Sequence, residues 1–146
     1  MNINGEIVVE VPQEKVWKAL NDPDTLKKAT PGCQSLEEVA PDRYKANIVL
    51  GIPAVKGNYE ADMKILEKSA PDQYRLILNA KSTKGFVEGD TIVKLEYQAP
   101  RTIIRYNGEA KAGGFIAKAG KPILSGIAKM FVKDFFKKIA KNARTL

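Results

Sequence analysis

Few side chains in this 146-residue sequence are of the types that carry out catalysis, and two acids around one glycine come first. Glu88 and Asp90 flank Gly89 in a predicted strand, and paired carboxyl groups are a common arrangement for general acid–base catalysis. Two acids at this spacing are more often solvated on the outward face of a strand, and we favour that interpretation. Glu88 or Glu109 would face an internal cavity only if the predicted strand register were shifted by one residue.

Other catalytic and metal-binding residue types are scarce. The sequence has no histidine and one cysteine, Cys33, which excludes His-based triads, His-ligated zinc, thiolate metal sites and an internal disulfide. The phosphate-binding pattern Gly-x4-Gly-Lys-Ser/Thr is also absent. We therefore predict no catalytic residue, no metal and no cofactor, and we interpret Cys33 as structural.

Three tyrosines offer hydroxyl groups on the apolar side of predicted strands. Alternation places Tyr59, Tyr74 and Tyr106 among aliphatic neighbours, and a buried hydroxyl group needs a hydrogen-bond partner. Two interpretations remain open. Either each hydroxyl reaches the rim or a backbone group, or the three hydroxyls are polar contacts inside a ligand cavity.

Basic side chains are concentrated in the last fifth of the sequence. Residues 114–146 contain eight Lys and Arg and one Asp, a net charge of +7, which equals the net charge of the whole chain. This ladder has three interpretations: a solvated face, a contact with anionic lipid, or a docking site for an acidic protein patch. We expect no nucleic-acid binding, because the aromatic residues lie on the opposite, apolar side. The lysines of the ladder, spaced one helical turn apart, are Lys129, Lys133, Lys137 and Lys141.

The hydropathy pattern predicts one α+β domain over residues 1–146 that must position these groups. A first strand at 2–11 precedes two short helices at 14–21 and 23–28, and period-two alternation from Gln34 onward brings the total to six to seven antiparallel strands. Apolar residues three and four apart in the last fifth predict a long C-terminal helix that covers the apolar face of the sheet.

A curved sheet wrapped around one helix leaves a gap where the two diverge, and such a gap is a natural apolar cavity. Because the apolar stripe of the helix is needed to cover the sheet, we expect any membrane contact to be electrostatic, without deep insertion. The expected lining residues are Tyr59, Met63, Tyr74, Leu78 and Tyr106 on the sheet and Ile123, Ile127 and Phe131 on the helix.

Pro122 leaves the start of the long helix open. Either the helix is kinked at Pro122, or it begins near Lys121 with the proline in its first turn. In the second case residues 113–120 form a mobile connection bounded by glycines. At the other end, the N-terminal residues lack the basic and apolar regions of a signal peptide, so we expect a cytoplasmic protein.

Several stretches of the sequence resemble the CoxG family of carbon monoxide dehydrogenase, within the START-like, Bet v 1-like superfamily. The resemblance covers essentially the whole chain, and the block from Asn-Asp-Pro to Pro-Gly-Cys at residues 21–33 is its most specific part. The stretches are VWKALNDP at 16–23, TPGC at 30–33, GIPAVKG at 51–57, KGF at 84–86, GGFIA at 113–117 and DFF at 134–136.

The resemblance implies a helix-grip fold and a non-catalytic accessory protein of molybdenum-type hydroxylases. Such a protein is expected to bind a hydrophobic small molecule, a lipid or a quinone. It is also expected to recruit a carbon monoxide dehydrogenase-type enzyme to the inner face of the cell membrane. One alternative on the same fold is a small-molecule enzyme of the aromatase/cyclase type, which needs acid–base groups that converge inside the cavity. Another is a pure protein-interaction adaptor.

Overall fold

The structure is a computed structural model that describes all 146 residues. The predicted α+β architecture, with six to seven strands, two short helices and one long C-terminal helix, is confirmed. Short 3-10 turns lie at Pro53–Val55 and Phe115–Ala119. The strands are β1 (Asn2–Val9), β2 (Cys33–Ala40), β3 (Arg43–Leu50), β4 (Gly57–Ser69), β5 (Gln73–Ser82), β6 (Gly85–Gln98) and β7 (Arg101–Gly114), and the helices are α1 (Gln13–Leu20), α2 (Pro23–Ala29) and α3 (Lys121–Ala143).

All seven strands belong to one antiparallel sheet with the spatial order β1-β7-β6-β5-β4-β3-β2. Strands that follow one another from β2 to β7 are neighbours, and β1 closes the order by pairing with β7. Along each central strand, buried and exposed residues alternate, because one face of the sheet is covered and the other meets water.

The two short helices begin where the sequence supplies suitable residues. Pro12 precedes α1, and Asp22 caps α2 by accepting hydrogen bonds from the backbone N–H of Thr25 at 3.0 Å and from its hydroxyl at 2.6 Å. Pro23 occupies the first turn of α2, where its missing N–H leaves no hydrogen bond unmade. These caps fix the turn between α1 and α2.

Helix α3 begins at Lys121 with Pro122 in its first turn, so the second of the two alternatives for Pro122 is correct. Gly120 precedes the helix with φ of +88°, a conformation that favours glycine. The expected glycine-bounded connection is a 3-10 turn whose Ile116 is buried and donates its N–H to the Lys84 carbonyl at 3.0 Å. None of the helices combines the length and the apolarity needed to cross a bilayer.

The buried side chains form two clusters beneath α3. The large cluster holds 19 residues and joins α1, α2, the sheet and the second half of α3, including Leu20, Tyr74, Tyr106, Phe136 and Ile139. The small cluster lies under the first turn of α3 and the 3-10 turn before it. It consists of Ala46, Ile48, Val55, Tyr59, Ala61, Ala80, Ile116 and Leu124.

Candidate functional site

A partly open pocket of about 550 Å³ lies where the beginning of α3 meets β5, β6 and β7. Met1 also borders it, and the Met1 sulfur accepts a hydrogen bond from the Ser125 hydroxyl of α3 at 3.4 Å. The pocket is lined by Met1, Ile77, Asn79, Glu88, Gly89, Asp90, Glu109, Ala110, Lys111, Ala112, Ala117, Lys121 and Leu124.

The space for this pocket comes from small residues on the covered face of the sheet. One cross-strand row runs from Met63 through Leu78 and Gly89 to Ala110, so its side chains shrink toward β7. A Cβ atom built on Gly89 would meet only the Leu78 Cβ within 4 Å, at 3.8 Å, which places Gly89 on the covered face with open space beside it. The adjacent row is small along its whole length: Ala46, Ala61, Ala80, Val87 and Ala112.

These small residues are the signal that the hydropathy pattern missed. The pattern identified large apolar residues as the lining, whereas a pocket beside a sheet forms where side chains are short. Gly89, Ala110 and Ala112 recur at every second position of β6 and β7, and that recurrence is visible in the sequence.

The three predicted tyrosines do not form one continuous row. Tyr59 belongs to the small cluster and donates its hydroxyl to the Val55 carbonyl at 2.6 Å. Tyr74 and Tyr106 belong to the large cluster. Tyr74 meets the Trp17 ring edge-on at 5.8 Å between centroids, and Tyr106 stacks on Phe136 at 5.7 Å.

The hydroxyl groups of these tyrosines differ in how they are accommodated. Tyr59 has a backbone partner, as one of the two interpretations expects. Burial is the only cause that raises the pKa of Tyr74 and of Tyr106, and no hydrogen bond contributes to either shift. Tyr74, which is 3% exposed, therefore keeps an unpaired polar group inside the protein.

The remaining predicted lining residues divide between the covered side and the solvent. Met63 and Leu78 face the covered side of the sheet and are half-buried, as are Ile127 and Phe131 on α3. Ile123 is 53% exposed, so its assignment to the covered face was wrong. The helix is rotated so that Leu124, the next residue, is the one that packs into the small cluster.

The candidate acids lie on exposed positions of the strands, as the favoured interpretation expected. Asp90 accepts a hydrogen bond from the Arg75 Nε at 2.8 Å, and this bond together with the charge of Arg75 lowers the pKa of Asp90. Glu88 and Glu109 are exposed at the pocket boundary. No group of three or more His, Cys, Asp or Glu side chains is placed to hold a metal ion.

The four lysines of the ladder, at 129, 133, 137 and 141, are all exposed on α3. The one acid nearby, Asp134, pairs with Lys138 at 2.9 Å and leaves the ladder itself without a salt bridge. The ladder is therefore an uncompensated positive surface along the helix.

Comparisons with known proteins agree on family and fold. The sequence profile of the family described as the CoxG subunit of carbon monoxide dehydrogenase matches residues 5–144. A conserved protein from Geobacillus kaustophilus superposes with a TM-score of 0.95 at 38% identity, over 99% of this chain and 96% of that one. No curated protein matches the chain.

More distant structures share the fold alone. A START superfamily protein from Mycobacterium smegmatis has a TM-score of 0.77 at 8% identity, over 99% of this chain and 97% of its own. The protein Ara h 8.0201 has a TM-score of 0.74 at 16% identity, over 100% and 99%. The predicted START-like, Bet v 1-like fold is thus confirmed.

Proposed function

The chain belongs to the CoxG family of carbon monoxide dehydrogenase, and from that membership we propose that it is a non-catalytic accessory protein with two tasks. It binds a hydrophobic small molecule, a lipid or a quinone-like compound, inside the fold. It also recruits a molybdenum-type dehydrogenase to the inner face of the cytoplasmic membrane.

The observation that carries the first task is the pocket of about 550 Å³ beside Gly89, Ala110 and Ala112. A pocket of this size suits a small organic molecule. Met63 and Leu78 are only half-buried although they face the covered side of the sheet, so apolar surface is left for a ligand to bury.

The chemistry of these surroundings favours a mostly apolar ligand with few polar atoms. An apolar molecule that buries roughly 400 Å² would gain about 10 kcal/mol from the hydrophobic effect. Association costs several kcal/mol of that gain, which leaves an affinity of roughly micromolar or better. The unpaired hydroxyl of Tyr74 offers a hydrogen bond to a carbonyl oxygen of the kind that a quinone carries.

The second task rests on family membership and on the lysine ladder. Exposed lysines attract either anionic lipid or an acidic protein surface, and each charge near a membrane contributes about 1 kcal/mol. A recruiting protein has to meet both a membrane and a partner enzyme, so a free basic surface fits this task.

An enzyme of the aromatase/cyclase type remains the competing function, because Glu88 and Glu109 border the pocket. Asp90, the third acid there, is held in its charged form by Arg75, which makes it a poor proton donor. Turnover of a bound substrate by the parent protein, lost in Glu88→Gln and Glu109→Gln, would favour the enzyme over the accessory protein.

Uptake of Nile red, an uncharged apolar dye, tests the pocket. Leu78→Trp adds bulk to the row beside Gly89, and we expect it to weaken dye binding about tenfold or more because the volume is filled. Val49→Trp is the matched control, because Val49 is 45% exposed and its replacement adds the same ring to the solvent side.

Native mass spectrometry of the protein as purified gives an independent measurement, since a retained apolar ligand adds a defined mass. Equal dye uptake by the Leu78 and Val49 variants, together with no retained mass, would remove the support for ligand binding. Urea unfolding of each variant shows whether it is folded.

A further inference from the structure

The first half of α3 carries large apolar side chains that the fold leaves in solvent. Phe115 in the preceding 3-10 turn is 62% exposed, Ile123 is 53% exposed and Met130 is 55% exposed. Ile123 and Met130 are seven residues apart, which places them on the same face of the helix. These three residues are called the outer patch below.

The outer patch is a fixed feature of the fold, because its neighbours in sequence are anchored. Ile116, next to Phe115, is 1% exposed, and Leu124, next to Ile123, is 8% exposed, and both pack in the small cluster. Turning Phe115 or Ile123 inward would pull these two side chains out of the core.

The charges around the outer patch are all of one sign. Residues 110–133 contain five lysines and no Asp or Glu. The Lys118 ammonium lies 5.3 Å from the centre of the Phe115 ring, and Lys121 and Lys129 are exposed beside the patch residues in sequence. Large apolar side chains flanked by lysines are the combination that enters the interface of an anionic bilayer.

We infer that the outer patch inserts shallowly into an anionic lipid surface and so turns the pocket toward the bilayer. Ala117, Lys121 and Leu124 line the pocket and alternate in sequence with the patch. A ligand can then pass between lipid and pocket without crossing water. The inference rests on the proposed function only for the membrane as destination, and it replaces the expectation of purely electrostatic contact.

A lipid surface fits this patch better than a second copy of the chain. In a two-fold dimer the same face would meet itself, which would bring the lysines of both copies together. Three or four side chains also bury far less than the roughly 1,200 Å² that a stable protein interface needs. A bilayer needs no matching shape and supplies the opposite charge.

Cosedimentation with vesicles tests the inference. The parent should bind vesicles of phosphatidylglycerol and phosphatidylcholine and should not bind phosphatidylcholine alone. Phe115→Gln combined with Met130→Gln keeps the charge and should weaken binding about tenfold or more, because two inserting side chains are lost. Val8→Gln combined with Val49→Gln is the matched control at exposed strand positions, 53% and 45% exposed, and should bind like the parent.

A fluorescence measurement separates insertion from simple attraction. Met130→Trp should shift its emission to the blue with anionic vesicles, and Val8→Trp should not. The inference is overturned if the parent does not bind, if the Phe115/Met130 variant binds like the parent, or if that variant instead breaks a dimer seen by light scattering.

The same proteins keep this test distinct from that of the proposed function. The Phe115/Met130 variant should still take up Nile red in detergent-free solution, since neither residue lines the pocket. A parent that binds vesicles but takes up no dye would count against the ligand pocket and leave the membrane surface standing.

Discussion

The two halves of α3 contact the rest of the protein in different ways. In the second half Phe136, Ile139 and Ala143 are at most 3% exposed and pack in the large cluster with α1, α2 and the sheet. In the first half only Leu124 is buried, while Ile123 and Met130 are more than half exposed.

This difference shows how one helix can serve both folding and function. The second half supplies buried apolar area, which is the main source of stability. The first half covers small residues of the sheet incompletely, and that incomplete cover provides both the pocket and the outer patch. Functional elements are commonly found where local stability is low.

The largest expected effect is on stability in the second half. Ile139 is fully buried, and Ile139→Ala should lower the free energy of unfolding by about 2–5 kcal/mol through the cavity it leaves. Ile123→Ala makes the same chemical change in the first half and should shift stability by no more than about 0.5 kcal/mol. Urea unfolding measures both, and equal losses would show that the two halves do not differ.

Charge reversal in the second half tests whether its surface also has a task. Changing Lys133, Lys137 and Lys141 together to Glu removes three cations worth about 1 kcal/mol each near a membrane, so anionic vesicle binding should fall about a hundredfold or more. The loss should shrink as salt rises, because exposed charges are screened over roughly 8 Å at physiological ionic strength.

A charge-matched control reverses three lysines on the strands, Lys45, Lys81 and Lys94, which are also exposed. If both triple variants bind vesicles like the parent but only the helix variant loses the dehydrogenase, the ladder docks a protein. If the helix variant keeps both interactions, the ladder is only a solvated surface.

Two glycines should respond in opposite directions. A Cβ atom on Gly5 would lie 2.3 Å from the Tyr106 hydroxyl oxygen, and Tyr106 stacks on Phe136 of the second half. Gly5→Ala should therefore destabilise the protein by about 1–3 kcal/mol. Gly126 lies in the first half with nothing within 4 Å of such an atom, so Gly126→Ala should stabilise the helix by about 0.5–1 kcal/mol.

Urea unfolding of the two glycine variants gives the sign directly. A stabilising change at Gly5, or a loss at Gly126 like that at Gly5, would mean that the packing around the two halves is more alike than the structure indicates.

The smallest effect concerns Cys33, which packs against the small cluster beneath the first half of α3. Burial raises the pKa of the Cys33 thiol, and only the thiolate reacts with alkylating reagents. At pH 8 alkylation should be roughly two- to tenfold slower in the native protein than in urea, and the rate should rise as the pH approaches the raised pKa. Equal native and unfolded rates would indicate that the small cluster does not shield the thiol.

Most of the fold could be predicted because local chemistry determines it. Alternation identified the strands, since an antiparallel sheet with one wet face separates polar from apolar residues. Asp22 caps α2, and Pro122 lies in the first turn of α3, as the sequence allowed. Each of these features depends on residues that are close together in the chain.

The site was harder to predict because it depends on packing over long distances. Ile123 and Leu124 are both apolar, and only the rotation of α3 against the sheet decides which one is buried. The pocket owes its volume to Gly89 and Ala110, and a pattern built on apolar side chains gives little weight to residues that have almost none.

The row from Leu78 through Gly89 to Ala110 also offers a way to adjust which molecules the protein accepts. Gly89 has ordinary backbone geometry and room for added atoms, so Ala or Val there should shorten the space without moving the strands. Replacing Leu78 with Ala should lengthen it from the other side. One row of a rigid sheet thus serves as a size gauge for ligands, and a graded set of variants would measure the length of the natural one.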